Sequence, residues 1–184
     1  MSTEQGPVEE QEPVEVQVQV QVQLADAEAT RAYGVRLAGL LRAGDLVVLT
    51  GPLGAGKTTL TQGIGEGLHV RGQVASPTFI IARVHPSTVG GPSLVHVDAY
   101  RLGSFEELDA LDLDASLEES VTVVEWGEGL AEVLSEDRLE VTLDRPHGAG
   151  DATGEDLLRD AEVGVRAVTV RAVGPRWQGA ALPS

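Results

Sequence analysis

Residues 46–59, LVVLTGPLGAGKTT, confine this chain to few architectures. Gly51, Gly56, Lys57 and Thr58 meet the spacing G-x-x-x-x-G-K-[ST]. The apolar run LVVLT before them predicts a strand buried on both faces. Residues 57–68 after them predict a helix, although Gly63, Gly65 and Gly67 weaken its second half. In such a strand–loop–helix, Gly54 and Gly56 take backbone angles that turn successive N–H groups inward around a phosphate. The helix N-terminus beyond favours negative charge. Gly51, Leu53, Gly54, Ala55 and Gly56 would line the nucleotide's phosphates, Lys57 would reach the β- and γ-phosphates, and the Thr58 hydroxyl would bind Mg²⁺. Lys57 is the only lysine beside twelve arginines. A planar guanidinium does not readily replace a compact ammonium inside such a loop.

The rest of the chain supplies strands and helices in alternation. VEVQVQVQVQL (14–24) alternates Val with polar residues, the period of a half-buried strand. Asp26 caps a predicted helix over 27–42. Further strands are predicted at SLVHVDAY (93–100), VTVVEW (121–126), RLEVTLD (138–144) and VRAVTVRAV (165–173). Residues 104–119 read as a helix opened by a Ser104–Glu107 capping box. This order predicts the α/β class, with one domain over 14–176, a disordered acidic tail over 1–13 and a C-terminal tail over 177–184. The loop in HGAGDATGEDLL is expected to be disordered at its tip.

Composition removes several functions. A net charge of −16 argues against gripping nucleic acid by neutralising phosphates. With no cysteine, disulfides, thiolate zinc sites and cysteine nucleophiles are excluded. His69, His85, His96 and His147 are too scattered for a transition-metal site, which leaves Mg²⁺ as the expected metal. No apolar stretch reaches 18 residues and the first thirteen are acidic, so a cytoplasmic protein with no membrane span is expected. A guanine-reading N-K-x-D element needs a second lysine, so ATP is the expected nucleotide.

A metal beside a phosphate loop needs a carboxylate at the end of a neighbouring strand. Asp98 and Glu125 each end an apolar run, and the residues alone do not separate their roles. At this point the chain resembles the TsaE family, small bacterial P-loop ATPases of transfer-RNA threonylcarbamoyladenosine synthesis. The match rests on GPLGAGKTT (51–59), SPTF (76–79), HVDAYRL (96–102) and VVEWGE (123–128), in that order. The resemblance implies a P-loop NTPase-like three-layer sandwich with a mostly parallel central sheet flanked by helices. It also implies ATP and Mg²⁺ binding, weak hydrolysis alone, and the partners TsaB and TsaD, with transfer RNA engaged only through their complex.

Carried over by residue, the resemblance makes Asp98 the metal-side carboxylate and Glu125 the catalytic glutamate that orients the attacking water. Thr59 would support the nucleotide from the helix, and Thr30 matches a threonine of the preceding helix. Trp126 is either a neighbour of the nucleotide or a core aromatic at a strand end. Ser76 and Thr78 either sense the γ-phosphate or serve the turn around Pro77. The chain departs from the family at Pro52, commonly acidic there, whose missing N–H removes one backbone donor from the loop. A small-molecule kinase of similar size would need a lid carrying several arginines. Between 69 and 120 only Arg71, Arg83 and Arg101 occur, widely spaced. A nucleotide switch without turnover would not need both Asp98 and Glu125.

Overall fold

The computed structural model describes residues 15–75, 81–145 and 163–184. Among the described residues seven strands form one sheet: β1 (Val16–Asp26), β2 (Leu46–Thr50), β3 (Ala82–His85), β4 (Ser93–Asp98), β5 (Ser120–Glu125), β6 (Arg138–Asp144) and β7 (Val163–Val173). Their spatial order is β1-β7-β6-β2-β5-β4-β3. The helices are α1 (Ala27–Ala38), α2 (Lys57–Gly67), α3 (Phe105–Asp109) and α4 (Asp114–Leu117).

The expected mostly parallel sheet is not what forms. Strands β6, β2, β5 and β4 run parallel, whereas β7 pairs antiparallel with β6, β1 with β7, and β3 with β4. The reason lies in what covers each face. On one face, α1 and α2 share a core with every strand but β3, including Val47, Leu49, Leu139, Leu143, Val168 and Val170. On the other, Leu46, Val48, Val95, Val97 and Val124 meet Leu108 of α3, with Leu113 and Ala131. That second cover stops at β2. Beyond it Thr142, Asp144 and Arg171 are exposed, and a sheet wetted on one side is antiparallel by preference. The molecule is therefore a mixed α/β protein built on one sheet.

Local differences from the sequence reading have physical causes too. Helix α1 stops at Ala38 rather than 42 because its end tightens into i→i+3 bonds, Leu40 N–H to Leu37 O at 2.9 Å and Leu41 N–H to Ala38 O at 3.1 Å. The segment 104–119 breaks into α3 and α4, with Asp112 left-handed at φ 49°. In one continuous helix Leu108 and Leu113 would point about 140° apart; the break lets both enter the same core. Ser104 does cap α3, accepting from the Glu107 N–H, but the Glu107 carboxylate reaches the Gly103 N–H. Gly63 and Gly67 of α2 belong to a close crossing with α1: a Cβ on Gly63 would strike the Arg31 carbonyl, and one on Gly67 would sit 2.5 Å from Ala38 Cβ. Residues 177–184 pack on the domain, with Trp177 buried and the Tyr33 hydroxyl donating to Pro183 O at 2.9 Å. The tail 1–13, the SPTF element with Ser76 and Thr78, and the insert 147–155 lie outside the described residues.

Candidate functional site

Three parallel strands end side by side and deliver the site. Leu49 of β2 is in register with Glu125 of β5, which is in register with Asp98 of β4. The chain leaves β2 into the loop 51–56 and enters α2 at Lys57. Gly51 is obligatory, because a Cβ there would collide with the Leu143 carbonyl. Gly54 and Gly56 are left-handed at φ 77° and 108°, a region that disfavours side chains. Gly56 is the N-cap of α2 and gives no side-chain cap, so the first helical N–H groups have no side-chain acceptor. Around the loop Leu53 is 85% exposed and Ala55 is buried. Pro52 O accepts from the Ala55 N–H at 3.1 Å, so the proline contributes an acceptor where it lacks a donor.

Lys57 is folded over this loop. Its Nζ donates to Gly51 O at 2.7 Å and Pro52 O at 2.9 Å, and lies 3.8 Å from the centre of the Trp126 ring. Only 5% of Lys57 is exposed. Burial pulls its ammonium below the usual lysine range, and the charges of Glu125 and Asp98 push back. Trp126 holds its own position at φ 60°, a strained angle for an aromatic residue, with its N–H on Leu49 O at 3.0 Å. The exposed Tyr100 packs on it at 5.0 Å between ring centres.

The carboxylate of Glu125, 3% exposed, is the hub. The Thr58 hydroxyl donates to it, 3.1 Å from Oε1 and 3.2 Å from Oε2. His96 Nε2 lies 2.8 Å from Oε1, and Thr61 Oγ1 lies 3.4 Å from it. Asp98, directly across from Glu125, accepts from the Tyr100 N–H at 3.0 Å. The structure thus brings together Lys57, Thr58, Asp98, Glu125 and Trp126. Thr59 sits half-buried in the first turn of α2. Thr30 lies beneath the loop instead of facing into it. Its hydroxyl donates to Asp26 O at 2.8 Å, and its methyl is 3.6 Å from where a Gly56 Cβ would be.

Sequence reasoning considered His96 only as a metal ligand and missed its contact with Glu125. The signal was available: in SLVHVD the period of two puts His96 on the same face of β4 as Asp98. Among the described residues no three His, Asp or Glu side chains cluster as a metal site. A Mg²⁺ ion held by one or two protein oxygens with phosphates and water needs no such cluster. The oxygen-only set of Thr58, Glu125 and Asp98 beside a glycine cradle fits that pattern.

These features define a class: a mixed α/β protein with a G-x-x-x-x-G-K-T loop and two carboxylates on adjoining strand ends. A sequence model of the family described as "Threonylcarbamoyl adenosine biosynthesis protein TsaE" matches residues 24–151. A relative named tRNA threonylcarbamoyladenosine biosynthesis protein TsaE, from Streptomyces coelicolor, is 62% identical over 148 residues, spanning 80% of this chain and 93% of the relative. The protein of that name from Bacillus subtilis is 36% identical over 152 residues, 82% of this chain and 84% of its own. The crystal structure of Bacillus subtilis YdiB superposes with a TM-score of 0.63 at 32% identity, covering 88% of this chain and 90% of that one. The chain belongs to the TsaE family of tRNA threonylcarbamoyladenosine biosynthesis. Among the described residues no helix is long and apolar enough to cross a membrane.

Proposed function

We propose that this protein is a Mg²⁺-dependent ATPase, acting in the cytoplasm on a P-loop NTPase-like scaffold. Its hydrolysis drives the cycle of a TsaB–TsaD complex that places threonylcarbamoyl on adenosine 37 of transfer RNA. The observation that carries this reading is the convergence of the loop's Lys57 and Thr58 on Glu125 and Trp126. A bound triphosphate offers Lys57 Nζ better acceptors than the two carbonyls it now holds, because a charge-assisted bond to phosphate exceeds one to a neutral carbonyl. The backbone N–H groups of residues 53–59 and the start of α2 cradle the remaining phosphate oxygens. Thr58 and Asp98 would hold Mg²⁺, directly or through its water, and the ion would supply neutralisation of phosphate charge. Glu125 orients the attacking water and accepts its proton. Trp126, whose ring centre lies 3.8 Å from Lys57 Nζ, would be a neighbour of the nucleotide.

A second assignment of the two carboxylates has one observation in its favour. Glu125, not Asp98, accepts from the Thr58 hydroxyl, which would make Glu125 the metal-side group and Asp98 the water-side one. Paired variants separate the two. A water-side carboxylate, once removed, leaves Mg²⁺-dependent ATP affinity intact and abolishes turnover; a metal-side one lowers both.

An acidic surface fits this division of labour, since partners and not this chain would hold the transfer RNA. The test is a pair of substitutions. Lys57→Ala abolishes nucleotide binding, whereas Glu125→Ala keeps binding and loses hydrolysis. Unmodified turnover by Glu125→Ala in the presence of the partners overturns the catalytic assignment. A γ-phosphate found on a small metabolite instead of in solution would favour a kinase.

A further inference from the structure

His96 has no place in the chemistry above, yet it is fully buried and makes the shortest contact to Glu125, 2.8 Å from Nε2 to Oε1. We infer that His96 is a positioning residue: it fixes the Glu125 carboxylate from the rigid strand β4, so that Glu125 keeps its aim when the loop fills and empties. The inference rests on the ATPase reading of this site.

The donors around Glu125 are not equivalent. Thr61 has one hydrogen, and Lys57 O claims it at 2.9 Å, closer than the 3.4 Å to Glu125. Thr58 belongs to the first turn of α2, and its hydroxyl is the group that the metal would engage. Among the described residues His96 is the donor that reaches the carboxylate from the sheet. It does so diagonally: Val123 is its register partner on β5, and Asp98 is the residue opposite Glu125. A carboxylate only accepts, so the hydrogen of this bond sits on Nε2. Nδ1 is buried with no hydrogen-bond partner among the described residues. A hydrogen on Nε2 and none on Nδ1 therefore satisfies Glu125 and leaves no buried hydrogen without an acceptor. Thr58 can then engage a metal without also having to hold Glu125 in place.

Two measurements on the full chain test this. ¹⁵N-resolved NMR of the imidazoles in the unmodified protein reads the tautomer directly and needs no turnover. The expected result is an Nε2–H tautomer at His96 whose Nε2 signal moves in Glu125→Gln; an Nδ1–H tautomer overturns the inference. Steady-state ATP hydrolysis with the TsaB–TsaD pair reads the consequence. His96→Ala lowers kcat about tenfold or more with ATP affinity unchanged, as removal of an outer-shell partner does. His96→Gln, which carries an amide hydrogen to the same region, recovers most of the loss. Equal losses in His96→Ala and His96→Gln, or no loss in either, overturn the positioning role. Should Glu125→Gln itself hydrolyse ATP at the unmodified rate, the catalytic assignment of Glu125 falls, and the tautomer measurement still judges the His96–Glu125 contact on its own.

Discussion

Gly34 sits in the middle of α1, where helix propensity and packing make opposite forecasts for Gly34→Ala. Propensity alone predicts a gain of about 1 kcal/mol, since alanine restricts the unfolded chain and suits a helix interior. The structure predicts a loss. A Cβ on Gly34 would lie 2.5 Å from Leu60 O, 2.9 Å from Ile64 N and 3.0 Å from Gly63 C, all backbone atoms of α2. None can rotate away, so relief requires the two helices to part by roughly 1 Å, a gap that forfeits a quarter to a half of each dispersion contact across it. Tyr33, Leu37, Leu60 and Ile64 pack together in that core. Overpacking costs of about 1–3 kcal/mol are usual, and a clash with backbone belongs at the upper end. Set against the propensity gain, the net expectation is about 2 kcal/mol of destabilisation. In urea unfolding that lowers the midpoint by about 1 M at an ordinary slope of about 2 kcal/mol per molar. An unchanged or raised midpoint would refute the crossing geometry. Because α2 begins at Lys57 and Thr58, the same variant also tests whether this crossing sets the position of the site.

Further expectations follow from buried polar groups. Burial raises the Tyr33 hydroxyl from 10.0 to about 12, against the pull of Arg36. A folded-state value above the unfolded one means stability that is complete below pH 10 and lost as pH rises through 12, about 3 kcal/mol in all. Tyr33→Phe should lose about 1 kcal/mol near neutral pH, with its bond to Pro183 O, and flatten the alkaline decline seen in urea midpoints measured across pH. Asp45 is buried and binds Arg176 through both oxygens, at 3.2 and 3.0 Å, while accepting the Arg42 N–H at 2.8 Å. Asp45→Ala leaves that guanidinium with Leu40 O at 3.0 Å but no carboxylate and should cost about 3 kcal/mol by the same assay, whereas a change under about 0.5 kcal/mol would mean the pair contributes little.

The parts of the fold that were legible in the sequence are those whose signals are local. The loop 51–59, the strand before it and the start of α2 are written in consecutive residues. Asp98 and Glu125 each end an apolar run and do meet across β4 and β5. Strand direction was less legible, although its cue was present. LVVLT and VTVVE do not alternate, each carrying adjacent apolar residues, and lie among the parallel strands, covered on both faces. VQVQVQVQL and RLEVTLD alternate, and β1 and β7 form the wetted antiparallel end, with β6 as the seam. Strand β3 carries only four residues, ARVH, too short for a period to declare itself. The period of two in SLVHVD shows the face His96 shares with Asp98, but its partner Glu125, like the fold of Lys57 onto Trp126, depends on which strands become neighbours, and no local pattern encodes that. The helix glycines were the most misleading local signal, since propensity marks Gly63 and Gly67 as weak points where the crossing with α1 requires them.

The central claim is that the loop and Glu125 hydrolyse ATP in service of a partner complex. Its most direct test is Mg²⁺-dependent phosphate release by the full chain and its Glu125→Ala variant, each measured alone and with the TsaB–TsaD pair and transfer RNA. The account predicts low release alone, a clear rise with the pair, and no rise for Glu125→Ala. No response of the unmodified chain to the pair, or equal release by both proteins, would contradict it.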